Sequence, residues 1–410
     1  MKQRYDILIV GGGMVGATLA CALGNSPLSV ALIEHDFAAP FEPEQPYDLR
    51  VSALSAASRS ILQTLGVWEG ISSRRLCPYR RMKVWEADET RAATEFNADE
   101  IGCSELGHIV ENRIVQLALL ERLRSFANVD LICPARTEQI EYAPGSSLVR
   151  LTDGREVLGR LLVAADGGQS RVRQAAGLGV TQWDYDQHAL VASVQTGYGQ
   201  QDITWQQFTP TGPLAFLPLG GNHASLVWYD RPDTIKALMA LDDEAFLQQV
   251  QQTFPDCLGQ IDAVFARGSF PLRRQHAQQY VAEGVALVGD AAHMIHPLAG
   301  QGVNIGLLDA AALAEVITQA HDAGEPFEAV EVLARYERAR RQHNLMMMQI
   351  MDSFYRVFSN SNLPLKLLRN VGLGLAERLG PAKRKAIRLA MGLDGDLPAL
   401  ARGEPIIHDR

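Results

Sequence analysis

Short apolar runs separated by small residues are the main pattern at the start of the chain. Residues 7–10 form an apolar run directly before a glycine turn, residues 14–23 have the small and apolar spacing of a helix, and residues 30–33 form a second apolar run. Runs of this length are typical of strands buried on both faces of a parallel sheet. The pattern therefore predicts a strand–helix–strand unit of about 30 residues.

The hydrophobic pattern changes between residues 188 and 270, where short apolar segments alternate with turns. This spacing predicts a mostly antiparallel sheet, interrupted by a helix near residues 242–253. Residues 285–288 return to a buried-strand pattern, while residues 52–65 and residues 305–320 are predicted to be helical.

We therefore predict an α/β fold, in which a Rossmann-like domain is interleaved with a mostly antiparallel β-sheet substrate domain and followed by C-terminal helices. The first domain is predicted to be discontinuous (residues 1–80, 101–187 and 275–340), the sheet domain to comprise residues 81–100 and 188–274, and the C-terminal helical region to comprise residues 341–410.

Composition narrows the class of protein. The 410 residues are 47% hydrophobic and 21% charged, with a formal net charge of −9, which is ordinary for a soluble globular protein and argues against nucleic-acid binding. The five cysteines are scattered and form no CxxC pair, so the sequence predicts neither a disulfide framework nor a metal site. We expect a cytoplasmic protein, because neither a secretion signal nor a run of about 18 apolar residues is present.

The first candidate site is the G-x-G-x-x-G turn that follows the first strand. Gly11 allows the tight turn, Gly13 allows close approach of a pyrophosphate, and Gly16 allows the helix to pack on the strand. Met14 and Val15 start a helix whose free N–H groups favour phosphate binding. Glu34 ends the next strand, where a carboxylate can accept hydrogen bonds from ribose hydroxyls. Alone, the glycine motif is a weak signal, since such a turn also serves packing.

Two later strand ends extend the predicted cofactor site. Asp166 follows the apolar run 161–165, and Gly289-Asp290 follows the run 285–288. Each is by itself an ordinary turn. Together with the glycine motif they predict a long cofactor, FAD rather than NAD, with Asp290 accepting a hydroxyl of the ribityl chain.

The residues after Asp290 are predicted to start a helix whose N–H groups face the flavin ring. The predicted cofactor-binding residues in this stretch are Pro297, Gly300, Gln301, Gly302, Val303 and Asn304.

Several further side chains are candidates with a plain structural alternative. Arg50, Arg113 and Gln116 are predicted to contact the cofactor, although a solvated arginine is the competing interpretation of Arg50. His293 and Pro297 are predicted to line the flavin site, with packing as the alternative for His293. No residue is identified as a catalytic base. Phe208, Phe216, Leu217 and Pro218 are candidates for the substrate-cavity lining, with core packing as the alternative for each.

Taken together, these blocks resemble the single-component FAD-dependent aromatic hydroxylases, the group of p-hydroxybenzoate hydroxylase, over nearly the whole chain. Within that group the chain resembles the ubiquinone-biosynthesis hydroxylases. The matching stretches are residues 50–58, 107–112, 205–218 and 296–304. Residues 224–230 and 351–355 favour the branch that acts on 2-octaprenyl-3-methyl-6-methoxy-1,4-benzoquinol, whereas residues 107–112 favour the branch that acts on octaprenylphenol.

The resemblance implies an oxygen-transfer reaction. It implies that NAD(P)H reduces FAD, that O2 is captured as a flavin C4a-hydroperoxide, and that one oxygen is transferred to the aromatic ring of a polyprenylated phenol or quinol. A hydroxylase of a soluble phenolic compound and a flavin-binding scaffold of a quinone-biosynthesis complex remain the alternatives.

The last part of the sequence contrasts with the acidic whole. Residues 364–393 contain seven basic residues (Lys366, Arg369, Arg378, Lys383, Arg384, Lys385 and Arg388) and one acid, Glu377. A basic amphipathic stretch can bind an anionic bilayer, so peripheral contact with the inner face of the membrane is one expectation. A solvated helix face, a homo-oligomer contact, or assembly with other quinone-biosynthesis proteins is the alternative.

Overall fold

The computed structural model describes residues 2–86, 93–255, 259–295, 301–358 and 380–406. Its strands are β1 (Lys2–Val10), β2 (Val30–Ile33), β3 (Val51–Ser55), β4 (Cys77–Tyr79), β5 (Arg81–Glu86), β6 (Thr94–Asn97), β7 (Gly107–Glu111), β8 (Val129–Ile132), β9 (Thr137–Glu141), β10 (Ser147–Leu151), β11 (Glu156–Ala164), β12 (Val180–Thr196), β13 (Ile203–Thr209), β14 (Gly212–Pro218), β15 (His223–Asp230), β16 (Ile261–Ala277), β17 (Val281–Ala282), β18 (Val285–Leu287) and β19 (His293–Met294).

The helices of the described residues are α1 (Met14–Ala22), α2 (Ala56–Thr64), α3 (Trp68–Ser72), α4 (Asn112–Leu123), α5 (Arg171–Ala175), α6 (Pro232–Ala240), α7 (Asp243–Thr253), α8 (Gln301–Asp322), α9 (Val330–Phe358) and α10 (Gly380–Ala390). Short 3-10 helices span Ala98–Ile101, Gly289–Ala291 and Ala399–Arg402.

The first sheet has the order β17-β18-β11-β1-β2-β8, and β9 and β10 extend it beside β11. Its strands β18, β11, β1, β2 and β8 are parallel. Ile7, Leu8 and Ile9 of β1 are all fully buried, and α1 packs against α4 and α8. Burial on both faces explains why β1 ends in an unbroken apolar run rather than an alternating one. The predicted strand–helix–strand unit is confirmed.

The second sheet has the order β19-β16-β12-β15-β14-β13-β5-β6, and its pairs are antiparallel except β5 with β13. One face, with Leu190 and Leu226, packs against Phe246 of α7. The opposite face carries Ala189 and Tyr229. The chain enters this sheet in three separate stretches, β5–β6, β12–β16 and β19. The predicted α/β fold with an antiparallel sheet is confirmed, while the exact domain boundaries stay a prediction. Strand β12 continues across the predicted boundary at residue 187.

A small sheet, β3-β7-β4, connects the two large ones. Ala53, Cys77 and Ile109 of this sheet form a cluster with Leu219, and Leu217 of β14 packs against it. The prediction of one helix over residues 52–65 is wrong at its start, because the first residues form β3 and pair with β7. The helix begins only after Ser55, whose side chain accepts a hydrogen bond from the Ser58 backbone and caps α2.

The described residues from 301 onward are mainly helical. Within the described residues, one stretch, Gly302–Asp322 in α8, is long and apolar enough to cross a membrane, but most of it is buried inside the protein, as expected for a core helix. Helix α10 packs through Ile387 against Ala98 and Leu106. Residues 364–379 of the predicted basic segment lie outside the described residues.

Burial makes folding stability sensitive to acid at His108. This side chain is 6% exposed, its Nδ1 has no hydrogen-bond partner, and burial lowers the pKa of His108 from 6.5 to about 4. Below a pH of about 6.5 the unfolded chain takes up a proton that the folded chain does not, so the stabilising contribution is lost as the pH falls toward the folded pKa.

We therefore predict that His108→Phe weakens the acid sensitivity of the fold. The contribution of His108 corresponds to a loss of about 2 kcal/mol in the free energy of unfolding between about pH 7 and about pH 5. Urea unfolding of both proteins at the two pH values measures this loss. An unchanged pH dependence in the variant would contradict the assignment. His276, whose pKa is likewise lowered to about 4, first by burial and then by His293, accounts for part of the remaining slope.

Candidate functional site

The turn between β1 and α1 exposes bare backbone at a helix start. Gly11 has a φ of +105°, and a Cβ there would lie 2.3 Å from the carbonyl oxygen of Ala165. A Cβ on Gly16 would lie 1.9 Å from the carbonyl oxygen of Gly11. A Cβ on Gly13 would meet nothing within 4 Å, and no side chain caps α1. The N-terminus of α1 therefore faces an open space that suits an anion.

Glu34 closes one side of this turn. Its carboxylate accepts hydrogen bonds from the Gly12 backbone N–H and, at 2.8 Å, from the His35 backbone N–H. Gln116 reaches the same turn, donating from Nε2 to the Gly12 carbonyl at 2.9 Å. The structure thus places Gln116 and Glu34 at the glycine turn, while their predicted contacts with the cofactor stay a prediction.

A cleft of about 440 Å³ opens beside the turn. Its wall includes Gly11, Gly13, Glu34, Ala165, Asp166 and Arg171. The Oδ2 atom of Asp166 accepts from the backbone N–H of Arg171 at 2.7 Å and of Val172 at 3.2 Å. The Oδ1 atom of Asp166 is buried without a hydrogen-bond partner. Asp166 thus stabilises the start of α5 and also lines this cleft.

The start of α1 meets the returning strand. A Cβ on Gly289 would lie 3.2 Å from Cγ2 of Val15, and a Cβ on Gly306 of α8 would lie 2.7 Å from the same atom. A Cβ on Gly306 would force Val15 to shift, and a Cβ on Gly289 would be a tight contact at a positive φ of 59°. The structure therefore brings together two glycine-containing segments that lie at opposite ends of the predicted first domain.

Asp290 follows Gly289 in the short 3-10 helix and is exposed to solvent. Nevertheless, burial raises the pKa of Asp290, while His293 and Arg50 act in the opposite direction. A side chain that lines a recess reconciles these observations, because a recess admits solvent but surrounds the carboxylate with protein. The recess also places Arg50 within electrostatic reach of Asp290.

The first turn of α8 is only partly as predicted. Among the described residues, no atom lies within 4 Å of a Cβ built on Gly302, and Val303 packs against the main core. Pro297 and Gly300 lie outside the described residues, as does the side chain of Gln301.

Asn304 has a different role from the predicted one. It is 3% exposed; its Oδ1 accepts from the Ser55 backbone N–H at 3.0 Å and from the Ser58 hydroxyl at 2.7 Å. Its Nδ2 donates to the Ala53 carbonyl at 2.8 Å. The side chain therefore joins α8 to β3 and α2 rather than pointing into the cleft, which corrects that prediction.

The side chain of Arg113 likewise forms hydrogen bonds within the protein. It donates from Nε and Nη2 to the two carboxylate oxygens of Asp48, at 2.9 and 3.0 Å. Asp48 donates its backbone N–H to Glu111, which also accepts two hydrogen bonds from Arg75. Arg113 thus fixes the loop before β3. Sequence reasoning missed Arg75 and Asp48 as partners, since nothing in their spacing indicates that they meet.

His293 lies behind the recess rather than on its wall. It is 1% exposed, and its Nε2 contacts Asp309 of α8. The prediction that His293 lines the flavin site is therefore corrected to a supporting position. Asp309 was missed, although a lone acid in the apolar run of α8 is a usable signal for a buried and paired carboxylate.

The four predicted cavity-lining residues lie on two different faces of the second sheet, because side chains alternate between faces along a strand. Phe216 stacks on Trp205 with ring centroids 5.6 Å apart, in the cluster covered by α6 and α7. Pro218 is two residues further along β14 and shares that face. The structure therefore places both side chains on the face covered by α6 and α7, which agrees with core packing, the alternative given for them. Leu217 and Phe208 lie on the opposite face, which packs toward β3 and β7.

Comparisons with known proteins agree with this geometry. The sequence model of a family described as "FAD binding domain" matches residues 4–350. The 3-demethoxyubiquinol 3-hydroxylase of Escherichia coli is 44% identical over 392 residues, covering 96% of this chain and 100% of that protein. Ubiquinone hydroxylase UbiL of Rhodospirillum rubrum is 40% identical, covering 98% and 93%.

A solved structure supports the fold. The p-nitrophenol 4-monooxygenase PnpA of Pseudomonas putida superposes with a TM-score of 0.79 at 19% identity, covering 96% of this chain and 99% of that one. Family match, full-length relatives and fold are in agreement: the chain belongs to the FAD-binding family of aromatic hydroxylases, in the branch that contains the ubiquinone-biosynthesis hydroxylases.

Proposed function

We propose that this chain is an FAD-dependent monooxygenase that uses NAD(P)H and O2 to hydroxylate the ring of a polyprenylated quinol in ubiquinone biosynthesis. The observation that carries the proposal is similarity over its full length to a 3-demethoxyubiquinol 3-hydroxylase. We therefore favour the demethoxyubiquinol position over the octaprenylphenol position.

The residues present fit FAD. The uncapped N-terminus of α1 and the open space over Gly13 suit a diphosphate. Glu34 supplies a carboxylate at the rim of the same cleft, where it can accept from ribose hydroxyls. Asp290 supplies a second carboxylate in the recess reached by the returning strand, where it can accept from the sugar-alcohol chain. When bound, FAD supplies hydride acceptance from NAD(P)H and activation of O2.

The protein's part in the reaction is to hold and enclose the substrate. The face of the second sheet that carries Leu217, Ala189 and Tyr229 is apolar, and Leu217 packs against the small sheet of β3, β4 and β7. Such a wall orients an aromatic ring and excludes water from the reacting atoms. We assign no catalytic base, because the described residues of this face offer no carboxylate or histidine with a demonstrated route to the recess.

We predict that Asp290→Ala yields a folded protein that has lost most of its FAD. Loss of a hydrogen bond to a charged acceptor costs about 1.5–3 kcal/mol, which corresponds to a rise in the FAD Kd of roughly tenfold to a hundredfold. Flavin absorbance after gel filtration measures the content, and circular dichroism checks the fold. Asp262→Ala, which removes an exposed acid on β16, is the matched control. Full flavin content in Asp290→Ala would refute the role of this carboxylate.

The substrate is tested by the quinones that accumulate in cells lacking the protein. We expect the deletion strain to accumulate demethoxyubiquinol, and the wild-type chain but not Asp290→Ala to restore ubiquinone. Accumulation of an octaprenylphenol instead would reassign the ring position. NAD(P)H oxidation stimulated by small soluble phenols, with unchanged quinones, would favour a soluble substrate. Restoration of ubiquinone by a flavin-free variant would favour the scaffold alternative.

We also propose that α10 contributes to a peripheral membrane contact, since a polyprenylated substrate resides in the bilayer. Ile387 and Lys383 are buried, with Lys383 Nζ 3.0 Å from Glu100. Arg384, Lys385 and Arg388 are exposed. One side of the helix is thus anchored to the protein, while cationic side chains are presented to solvent, where each is worth about 1 kcal/mol near an anionic surface.

The oligomeric state stays a prediction.

Reversal of two of these charges provides the test. We expect Arg384→Glu combined with Lys385→Glu to reduce co-sedimentation with anionic phospholipid vesicles by at least roughly tenfold, and to leave binding to zwitterionic vesicles unchanged. The control pair, Arg4→Glu with Arg124→Glu, reverses two exposed arginines outside α10. An equal loss in the control pair would show that total charge, rather than α10, governs binding.

A further inference from the structure

Asp309 is a completely buried carboxylate that receives hydrogen bonds from three separate segments. Its Oδ2 accepts from the Gly289 backbone N–H at 3.2 Å and contacts Nε2 of His293. Its Oδ1 accepts from Arg340 Nε at 3.0 Å and from Asn344 Nδ2 at 3.0 Å. An ionised carboxylate only accepts hydrogen bonds and has about four acceptor positions, so these four donors use its full capacity.

The partners of Asp309 make its charge tolerable in the core. Arg340 is 2% exposed, and it also donates to Asn344 Oδ1 at 2.9 Å. Burial by itself would raise the pKa of Asp309, but His293 and Arg340 outweigh burial and lower this pKa to about 2. The carboxylate therefore stays ionised throughout the neutral range. Removing one member of such a group leaves an uncompensated buried charge or donor.

The turn Gly289–Ala291, which donates to Asp309 through the Gly289 backbone N–H, is also held at further backbone atoms. Arg173 donates from Nη1 to the Ala291 carbonyl at 2.8 Å, and the Ala277 backbone N–H donates to the Ala292 carbonyl at 2.7 Å. Gly289, Ala291 and Ala292 are therefore all held from the interior side. The side chain of Asp290, which lies between them, is exposed to solvent.

We propose that Asp309, supported by Arg340 and Asn344, is a positioning residue that fixes the Gly289–Ala291 turn and so directs the carboxylate of Asp290 toward the cofactor. The inference rests on the proposed function, because it assumes that Asp290 binds FAD. It assigns to α8 and α9 a role in cofactor affinity, although neither Asp309 nor its two supporting side chains reaches the cleft.

A double-mutant cycle tests whether Asp309 acts through Asp290. Asp309→Asn keeps the size of the side chain but replaces one carboxylate oxygen with an NH2 group. Because an NH2 group cannot accept hydrogen bonds, donors that now bind that oxygen lose their acceptor. We expect the FAD Kd, measured by titrating the apoprotein and following flavin fluorescence, to rise roughly tenfold or more. In the Asp290→Ala background, Asp309→Asn should change the Kd no further, because coupled residues are non-additive. Additive effects would overturn the proposal.

A second variant and a control separate positioning from loss of stability. Asn344→Ala removes one of the four donors and should raise the FAD Kd several-fold, which keeps the test available if Asp309→Asn does not fold. Leu333→Ala truncates a buried core residue of α9 whose apolar side chain forms no hydrogen bond to the turn. It should lower the Tm but leave the Kd unchanged below that temperature. A similar rise in Kd for Leu333→Ala would assign the effect to general destabilisation.

The outcomes also distinguish this inference from the proposed function. A wild-type chain that takes up no FAD would remove the proposed function together with the inference. A wild-type chain that binds FAD, with unchanged affinity in folded Asp309→Asn, would remove the positioning role alone.

Discussion

The close approach of Val15 to Gly289 and Gly306 is the constraint on which the site depends. It brings the start of α1, the end of β18 and the first part of α8 within van der Waals distance. A Cβ on Gly306 would lie 2.7 Å from Cγ2 of Val15 and force a shift, and a Cβ on Gly289 would be tightly packed and strained. Because they meet, the helix start beside Gly13 and the turn that carries Asp290 are brought close together, as the proposed binding of an extended cofactor requires.

A set of buried polar contacts keeps this junction in one arrangement. Asp309 connects α8 to α9 and to the turn after β18. Tyr336 of α9 donates to the Leu287 carbonyl of β18 at 2.7 Å, and Asn304 of α8 holds β3 and α2. Helices α8 and α9 therefore hold β18, the turn that follows it, β3 and α2 in fixed positions. Such polar contacts are directional, so they define positions that apolar packing alone would leave adjustable.

Helix α9 also connects the cleft to the second sheet. Beyond Asn344, it carries Asp352, which accepts a hydrogen bond from Tyr185 of β12 at 3.1 Å and lies 3.2 Å from Arg274 of β16. The helix that supports the turn of Asp290 is thus also fixed to the second sheet. This arrangement gives the chain a physical reason to interleave its two sheets, since cofactor and substrate must be held in a fixed relation.

The sequence by itself determined the local features of this protein. The apolar run of β1, the glycines of the turn and the carboxylates of Glu34 and Asp290 all follow from short segments whose chemistry is readable in isolation. Tertiary structure decided what depends on contacts between distant segments. Residues 52–65 divide into β3 and α2 because β7 pairs with β3, Phe216 turns away because α7 covers its face, and Asn304 and Arg113 are taken up by protein partners. Periodicity reports which residues share a face, but it does not report which element will cover that face.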